Sequence, residues 1–163
     1  MISIRPIAPA DQAWVRDFFI QHWGSPQMVY SKGIHECDRL SGFVAADGVE
    51  MIGVVTYSLH QDECEIVSLD SLREGQGIGS ALMQAVEEAM RQRGVKRIWL
   101  ITTNDNLHAL RFYQKRGYEL VRLYPKAVNQ ARQIKPQIPL IGNDGIPILD
   151  ELELEKRLDR RPS

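Results

Sequence analysis

The sequence predicts a mixed, mostly antiparallel β-sheet of about seven strands with helices on both faces. Three observations carry this expectation. Asp47-Gly48 separates two β-rich runs, a glycine-rich stretch from Arg73 to Ser80 joins a strand to an amphipathic helix, and helix-period apolar faces alternate with strands.

At 163 residues, 44% hydrophobic and 25% charged, the chain has the composition of one globular domain, expected to run from residue 1 to 163. Formal charges nearly cancel, 20 Lys and Arg against 21 Asp and Glu, so no global field exists to hold a polyanion and a nucleic-acid partner is not expected. No apolar run approaches the roughly 20 residues of a membrane span, and the chain opens on Ile2-Ser3-Ile4-Arg5-Pro6 instead of a basic and then apolar leader. A cytoplasmic protein with no membrane association is the expectation. Cys37 and Cys64 are too few for a disulfide framework or a zinc site and read as buried small apolar residues.

Ile2 to Arg5 alternates as a half-buried strand does, and Trp14, Phe18 and Ile20 then recur at roughly helical spacing. Gly24 to Leu40 shows no sustained period and reads as a loop or short helical turns. Gly42 to Ala46 and Met51 to Leu59 form a hairpin, and Glu63 to Leu69 supplies a third antiparallel strand. Ile78, Leu82, Val86, Ala89 and Met90 share one helical face, which Gly94 terminates.

Val95 to Thr102 reads as a central strand, Asn104 to Arg116 as a helix, and Tyr118 to Leu123 as another strand. From Pro125 to about residue 149 the prolines break any long element while Ile138, Leu140, Ile141, Ile146 and Ile148 keep the stretch apolar, so an irregular packed excursion is expected. Its apolar character would equally suit a homodimer contact. Leu152 and Leu154 alternate with glutamates as a final strand pairing with the Tyr118 strand, a short helix being the competing reading. Arg160 to Ser163 reads as a frayed end.

The segment Arg73-Glu74-Gly75-Gln76-Gly77-Ile78-Gly79-Ser80 leaves several backbone N–H groups unobstructed at the positive end of a helix, which suits a diphosphate. A merely tight strand-to-helix turn is the bland alternative. A Walker loop is excluded because no Lys lies in the segment, and the antiparallel hairpin upstream argues against a dinucleotide fold.

With Gly77-Ile78-Gly79 in that position, the chain resembles the GNAT acetyltransferase superfamily, whose signature is Gln or Arg, two residues, Gly, one residue, Gly or Ala. Glu74 stands where the family has Gln or Arg. A second segment strengthens the likeness: Asn106-Leu107-His108-Ala109-Leu110-Arg111-Phe112-Tyr113-Gln114-Lys115-Arg116-Gly117-Tyr118 is similar to the family's Asn, Ala, Phe-Tyr, Lys and Gly-Phe/Tyr pattern. The resemblance covers roughly Ile2 to Leu123 and implies an N-acetyltransferase using acetyl-CoA and an amine acceptor, small molecule or peptide.

The resemblance further implies that the amides of Gln76, Gly77, Ile78, Gly79 and Ser80 hold the pyrophosphate, and that the strand end at Leu69, Asp70 and Ser71 pairs with the pantetheine arm. Asn106 would touch the pantetheine or pyrophosphate, or simply cap its helix. Tyr113 would donate a proton to the departing thiolate, or pack helix against sheet. An amine acceptor must lose a proton, so a carboxylate or His is wanted. Glu65 is the first candidate through its likeness to the Glu-Ile-Val segment of histone-acetylating members, with strand alternation placing it beside Val67 and Leu69, and Asp70 is the reserve.

His22, Trp23, Tyr30 and His35 lie in or near the early segment that shapes the acceptor pocket in such proteins. Arg73, Arg111, Lys115 and Arg116 would neutralise phosphate locally or form solvated faces. No metal cluster and no nucleophile triad is visible, so direct transfer is expected. A catalytically idle acyl-CoA-binding module and a nucleotide-binding regulatory domain are the competing functions.

Overall fold

The structure, a computed structural model, describes residues 1–159. The expected frayed end, Arg160 to Ser163, lies outside the described residues. The elements in chain order are β1 (Ile2–Pro6), α1 (Gln12–Trp23), β2 (Gln27–Tyr30), β3 (Gly33–Glu36), β4 (Ser41–Asp47), β5 (Glu50–His60), β6 (Glu63–Ser71), α2 (Ile78–Gln92), β7 (Arg97–Thr103), α3 (Leu107–Lys115), β8 (Glu119–Tyr124), α4 (Val128–Ile134) and β9 (Glu151–Arg157). Apart from the β2–β3 hairpin, which forms its own small sheet, the seven other strands belong to one mixed, mostly antiparallel sheet.

The chain divides into two compact units. The first comprises Met1–Met28, Glu36–Ile98 and, of the described residues after β9, Leu158 and Asp159, and the second Val29–His35 with Trp99–Arg157. In the first unit the strand order is β1-β4-β5-β6, followed by the start of β7. Each of the pairs β1–β4, β4–β5 and β5–β6 is antiparallel. Gly48 turns the β4–β5 hairpin at φ +63°, the left-handed conformation that the Asp-Gly pair predicts.

One face of this unit's sheet packs against α1 through Val15, Phe18, Phe19, Cys37, Val44 and Val54, all buried. Phe19 is fully buried, which stabilises the fold by roughly 1.5–3 kcal/mol relative to an exposed ring. Ile20, expected on that face, is 45% exposed, because Val15 and Phe19 rather than Ile20 continue the stripe set by Phe18. The other face takes α2: a Cβ on Gly53 would lie 2.8 Å from Ile78 Cγ2 and 3.2 Å from Leu82 Cδ1, so only glycine lets the helix approach this closely. Both thiols are buried as expected, and burial pushes Cys37 and Cys64 up to about 12, which keeps them protonated and inert.

Upstream of α1, the Arg5 guanidinium grips Asp11 through two parallel hydrogen bonds of 2.6 and 2.9 Å, and the Ala8 amide donates to the same carboxylate at 2.7 Å. Gly24 to Leu40 is not the irregular loop expected from its lack of period. It folds into the β2–β3 hairpin and a single 3-10 turn at Cys37–Arg39. Strands of four residues are too short for alternation to stand out against Gly and Pro punctuation.

The second unit orders its strands β7-β9-β8, with β8 and β9 antiparallel and Leu120 opposite Leu154. The final strand is where Leu152 and Leu154 placed it, but its polar phase is not solvated: Glu151 and Glu153 are buried along with Leu154. As the middle strand of three, β9 has both edges paired.

Between β8 and β9 runs the expected excursion, which contains one short helix, α4, that the proline spacing concealed. Polar ties hold the rest. Arg132 Nη2 donates to the carbonyls of Pro139 at 2.6 Å and Ile148 at 2.7 Å, and Asn104 Oδ1 accepts from the amides of Leu149 and Asp150 at 3.0 Å each. Buried Asp105 accepts from Thr103 Oγ1 at 2.6 Å and from the amide and side chain of Asn143 at 3.0 Å each. Such bonds satisfy backbone groups that no regular element pairs.

Candidate functional site

In the first unit, β6 runs into a loop whose conformation depends on glycine. Gly75 and Gly77 both sit at φ +73°, and Gly77 caps the 15-residue helix α2. No neighbour lies within 4 Å of the space that a Cβ would occupy at either position, so glycine is required there by backbone conformation and not by crowding. The first amides of a helix have no intrahelical acceptor, so those of Ile78, Gly79 and Ser80 are left as donors at its positive end. Gln76 and Gly77 are exposed while Ile78 anchors the helix start in the core. Unpaired amides at a helix start are the donor arrangement that a diphosphate requires.

Arg73 is engaged in two ion pairs. Its guanidinium spans Asp47 at 2.9 Å and Glu50 at 2.7 Å, fastening the loop to the β4–β5 hairpin. The Ser71 hydroxyl closes the adjoining turn by donating to the Arg73 carbonyl at 2.9 Å. Arg111 and Lys115 are exposed on α3, and Arg116 lies 5.9 Å from the Phe112 ring.

Strand β6 carries the candidate bases. Asp70 lies opposite Val54, Ser68 opposite Thr56 and Glu65 opposite Ser58 on β5, while Leu69 lies opposite Val55. The register shifts between Ile66 and Ser68, so Val67 is an extra residue, and the bulge reverses the phase of alternation. Glu65 therefore shares its face with Ser68 and Asp70, the face of Val54 and α1, and not with Leu69 as strict alternation implied. Thr56 and Ser68 join hydroxyls at 2.5 Å between the two carboxylates.

Glu65 is 5% exposed. Asp70 receives the Trp23 indole N–H at 3.2 and 3.3 Å. Burial pushes the Asp70 carboxyl up to about 6, against the smaller pull of the Trp23 bond and the His22 charge. His22 lies against Phe18, ring centroids 4.5 Å apart. The structure thus brings Trp23 to Asp70, a pairing that the spacing of neither residue signals.

In the second unit, Asn106 caps α3 by accepting the Ala109 amide at 3.1 Å. Tyr113 is buried, edge-on to Phe112 and Tyr118 at centroid distances of 5.1 and 5.4 Å. Tyr30 and His35 face each other across the small hairpin, Oη to Nε2 3.5 Å, with rings stacked at 5.9 Å. Among the described residues no group of three or more His, Cys, Asp or Glu is placed to hold a metal, and no helix is long and apolar enough to cross a membrane.

A seven-stranded, mostly antiparallel mixed sheet with four helices matches the architecture of the GNAT fold. The profile of the acetyltransferase (GNAT) family matches residues 11–118, and the chain belongs to that family. It is 52% identical over 158 residues, 96% of this chain and 99% of the relative, to the uncharacterized protein YxbD of Bacillus subtilis. The fold is similar to that of the IAA acetyltransferase from Bacillus cereus, with TM-score 0.69 and 21% identity over 97% of this chain and all of the other. It is likewise similar to a GNAT family acetyltransferase from Elizabethkingia anophelis with acetyl-CoA bound, with TM-score 0.69, 19% identity and coverage of 96% and 98%. Family and fold support acetyl transfer in general.

Proposed function

We propose that this protein is a cytoplasmic N-acetyltransferase that moves the acetyl group of acetyl-CoA directly to an amine, on a small molecule or a peptide. The observation that carries the reading is the open, left-handed glycine cradle at Gly75 and Gly77, set between β6 and the start of α2. The amides of Gln76 to Ser80 would bind the pyrophosphate, and the backbone of Leu69 to Ser71 would pair with the amides of the pantetheine arm. Asn106 would add a polar contact through the side-chain nitrogen that its capping bond leaves over.

Asp70 is the stronger candidate base. An amine loses its proton most readily to a group whose pKa lies near the working pH, and about 6 meets that condition better than an ordinary carboxylate. Glu65, on the same face, is the alternative acceptor of the proton. The freed amine attacks the thioester carbonyl, the C–N bond forms, the C–S bond breaks, Tyr113 would protonate the departing thiolate, and the second proton that the newly acylated nitrogen sheds would restore the Tyr113 phenol. His22, Trp23, Tyr30 and His35 would line the approach of the acceptor.

Calorimetric titration with acetyl-CoA, with ATP and NAD as controls, tests the reading. Micromolar binding of acetyl-CoA alone is expected, with loss of binding in Gly77→Val. Absence of acetyl-CoA binding to the native protein overturns it.

A further inference from the structure

The tip of the β2–β3 hairpin carries an ammonium group into a receptor that the sheet provides. Lys32 Nζ lies 4.7 Å from the centroid of the Trp99 ring and 4.9 Å from that of Tyr124, and it donates to Glu153 Oε1 at 3.0 Å. The Tyr124 hydroxyl donates to the same oxygen at 2.8 Å. One pleat away on β9, Glu151 accepts the Ser31 amide at 3.1 Å and the Ser31 hydroxyl as well. The two carboxylates are only 2% and 5% exposed.

Burying two carboxylates on the middle strand of a sheet is costly unless they serve a cation or donors. Two aromatic faces beside them complete the chemistry that recognises an ammonium group on an aliphatic stem. The receptor groups stand on β7, β8 and β9, whereas the ammonium is borne by a separate two-stranded hairpin of four-residue strands, an element of marginal stability on its own. The receptor groups therefore stand on the main sheet, and the group that fills them stands on a different element.

We infer that Trp99, Tyr124, Glu151 and Glu153 form the seat for one ammonium group of the acceptor, which the Lys32 side chain fills until an acceptor displaces it. This rests on the acetyltransferase reading above. Burial disfavours the Lys32 charge, yet the contacts with Tyr124 and Glu153 outweigh it and raise the lysine pKa overall. A nitrogen held in this seat keeps its proton and is no nucleophile, so the acetylated nitrogen is a second one. The acceptor class is accordingly an unbranched aliphatic diamine or polyamine.

The test is calorimetric titration of the full chain with n-butylammonium, which reproduces the lysine stem and head, and with 1,5-diaminopentane. Lys32→Ala is expected to bind n-butylammonium at least tenfold more tightly than the native protein, and Glu153→Gln added to Lys32→Ala to abolish the gain. Lys32→Gln serves in the same way if the alanine variant melts early. Equal affinity of native and Lys32-substituted proteins, or a gain that survives Glu153→Gln, overturns the seat. Because these titrations contain no acetyl-CoA, binding of the amine without acetyl-CoA binding would leave the seat standing and remove the acetyltransferase reading, while acetyl-CoA-dependent turnover without amine binding at the seat would do the reverse.

Discussion

The indole N–H of Trp23 donates to both carboxylate oxygens of Asp70, tying the last residue of α1 to the end of β6. A hydrogen bond from a neutral donor favours the ionised carboxyl, yet burial dominates and leaves Asp70 at about 6. The same carboxyl is thus mostly ionised at neutral pH, can still be protonated about one unit below it, and is already oriented by a partner, as a proton acceptor for an amine requires.

Asp70→Asn is expected to lower kcat by about 10²-fold or more, with acetyl-CoA affinity little changed, and to remove the acidic limb of the rate profile near pH 6. Stability gives an independent reading. The folded value lies above the roughly 3.9 of an unfolded aspartate, so between about pH 4 and pH 6 the native state binds the extra proton and stability falls as pH rises. Melting curves should show Asp70→Asn gaining on the native protein as pH rises through that window. An unaltered rate profile passes the role of base to Glu65.

Tyr113→Phe keeps the ring that packs against Phe112 and Tyr118 and removes only the hydroxyl. The fold and the acetyl-CoA affinity should hold while turnover drops by about 10²-fold, the usual contribution of a positioned proton donor. Stopped assays of thiol release beside calorimetry separate the two quantities. Turnover equal to that of the native protein confines Tyr113 to packing.

Elements with a local cause were legible in the sequence. Asp47-Gly48, the apolar face of α2 ending at Gly94, and Asn106 as a cap each depend on neighbours within a few residues. The bulge at Val67 was not legible, since one extra residue leaves no mark in an apolar run yet moves Glu65 to the face of Asp70. Burial of Glu151 and Glu153 was also hidden, because their partners Ser31 and Lys32 lie about 120 residues earlier in the chain. Trp23 reached Asp70 across 47 positions, and nothing in the spacing of either residue signals it.

Asp11 shows the opposite electrostatics to Asp70. The Arg5 fork, aided by the Ala8 amide, holds its carboxyl down to about 2, against a smaller cost of burial. Its contribution is therefore present above about pH 4, the unfolded value, and is lost as pH falls toward 2. Asp11→Asn should destabilise the protein by about 1–2 kcal/mol at pH 7 by weakening charge-assisted bonds. In urea titrations the gap between variant and native protein should narrow between pH 4 and pH 2, and a constant gap would show that the loss is steric.

Gly142 and Gly145 flank the same turn but require glycine for different reasons. At Gly142 φ is −110°, open to any residue, but a Cβ would stand 2.1 Å from Asp105 Oδ2 and 2.7 Å from Ile148 Cγ1. At Gly145 nothing lies within 4 Å, but φ is +73°. Gly142→Ala must push aside a carboxylate that is already holding Thr103 and Asn143, an overpacking cost of about 1–3 kcal/mol. Gly145→Ala bears only the left-handed conformation, about 1–2 kcal/mol, and Gly145→Asn should recover part of it because Asn tolerates that region. Gly142→Asn should recover nothing, since the space is filled whatever the backbone preference. Urea unfolding of the four variants distinguishes the cases, and a Gly142→Ala cost below a few tenths of a kcal/mol would mean that Asp105 yields and does not tie the excursion between β8 and β9.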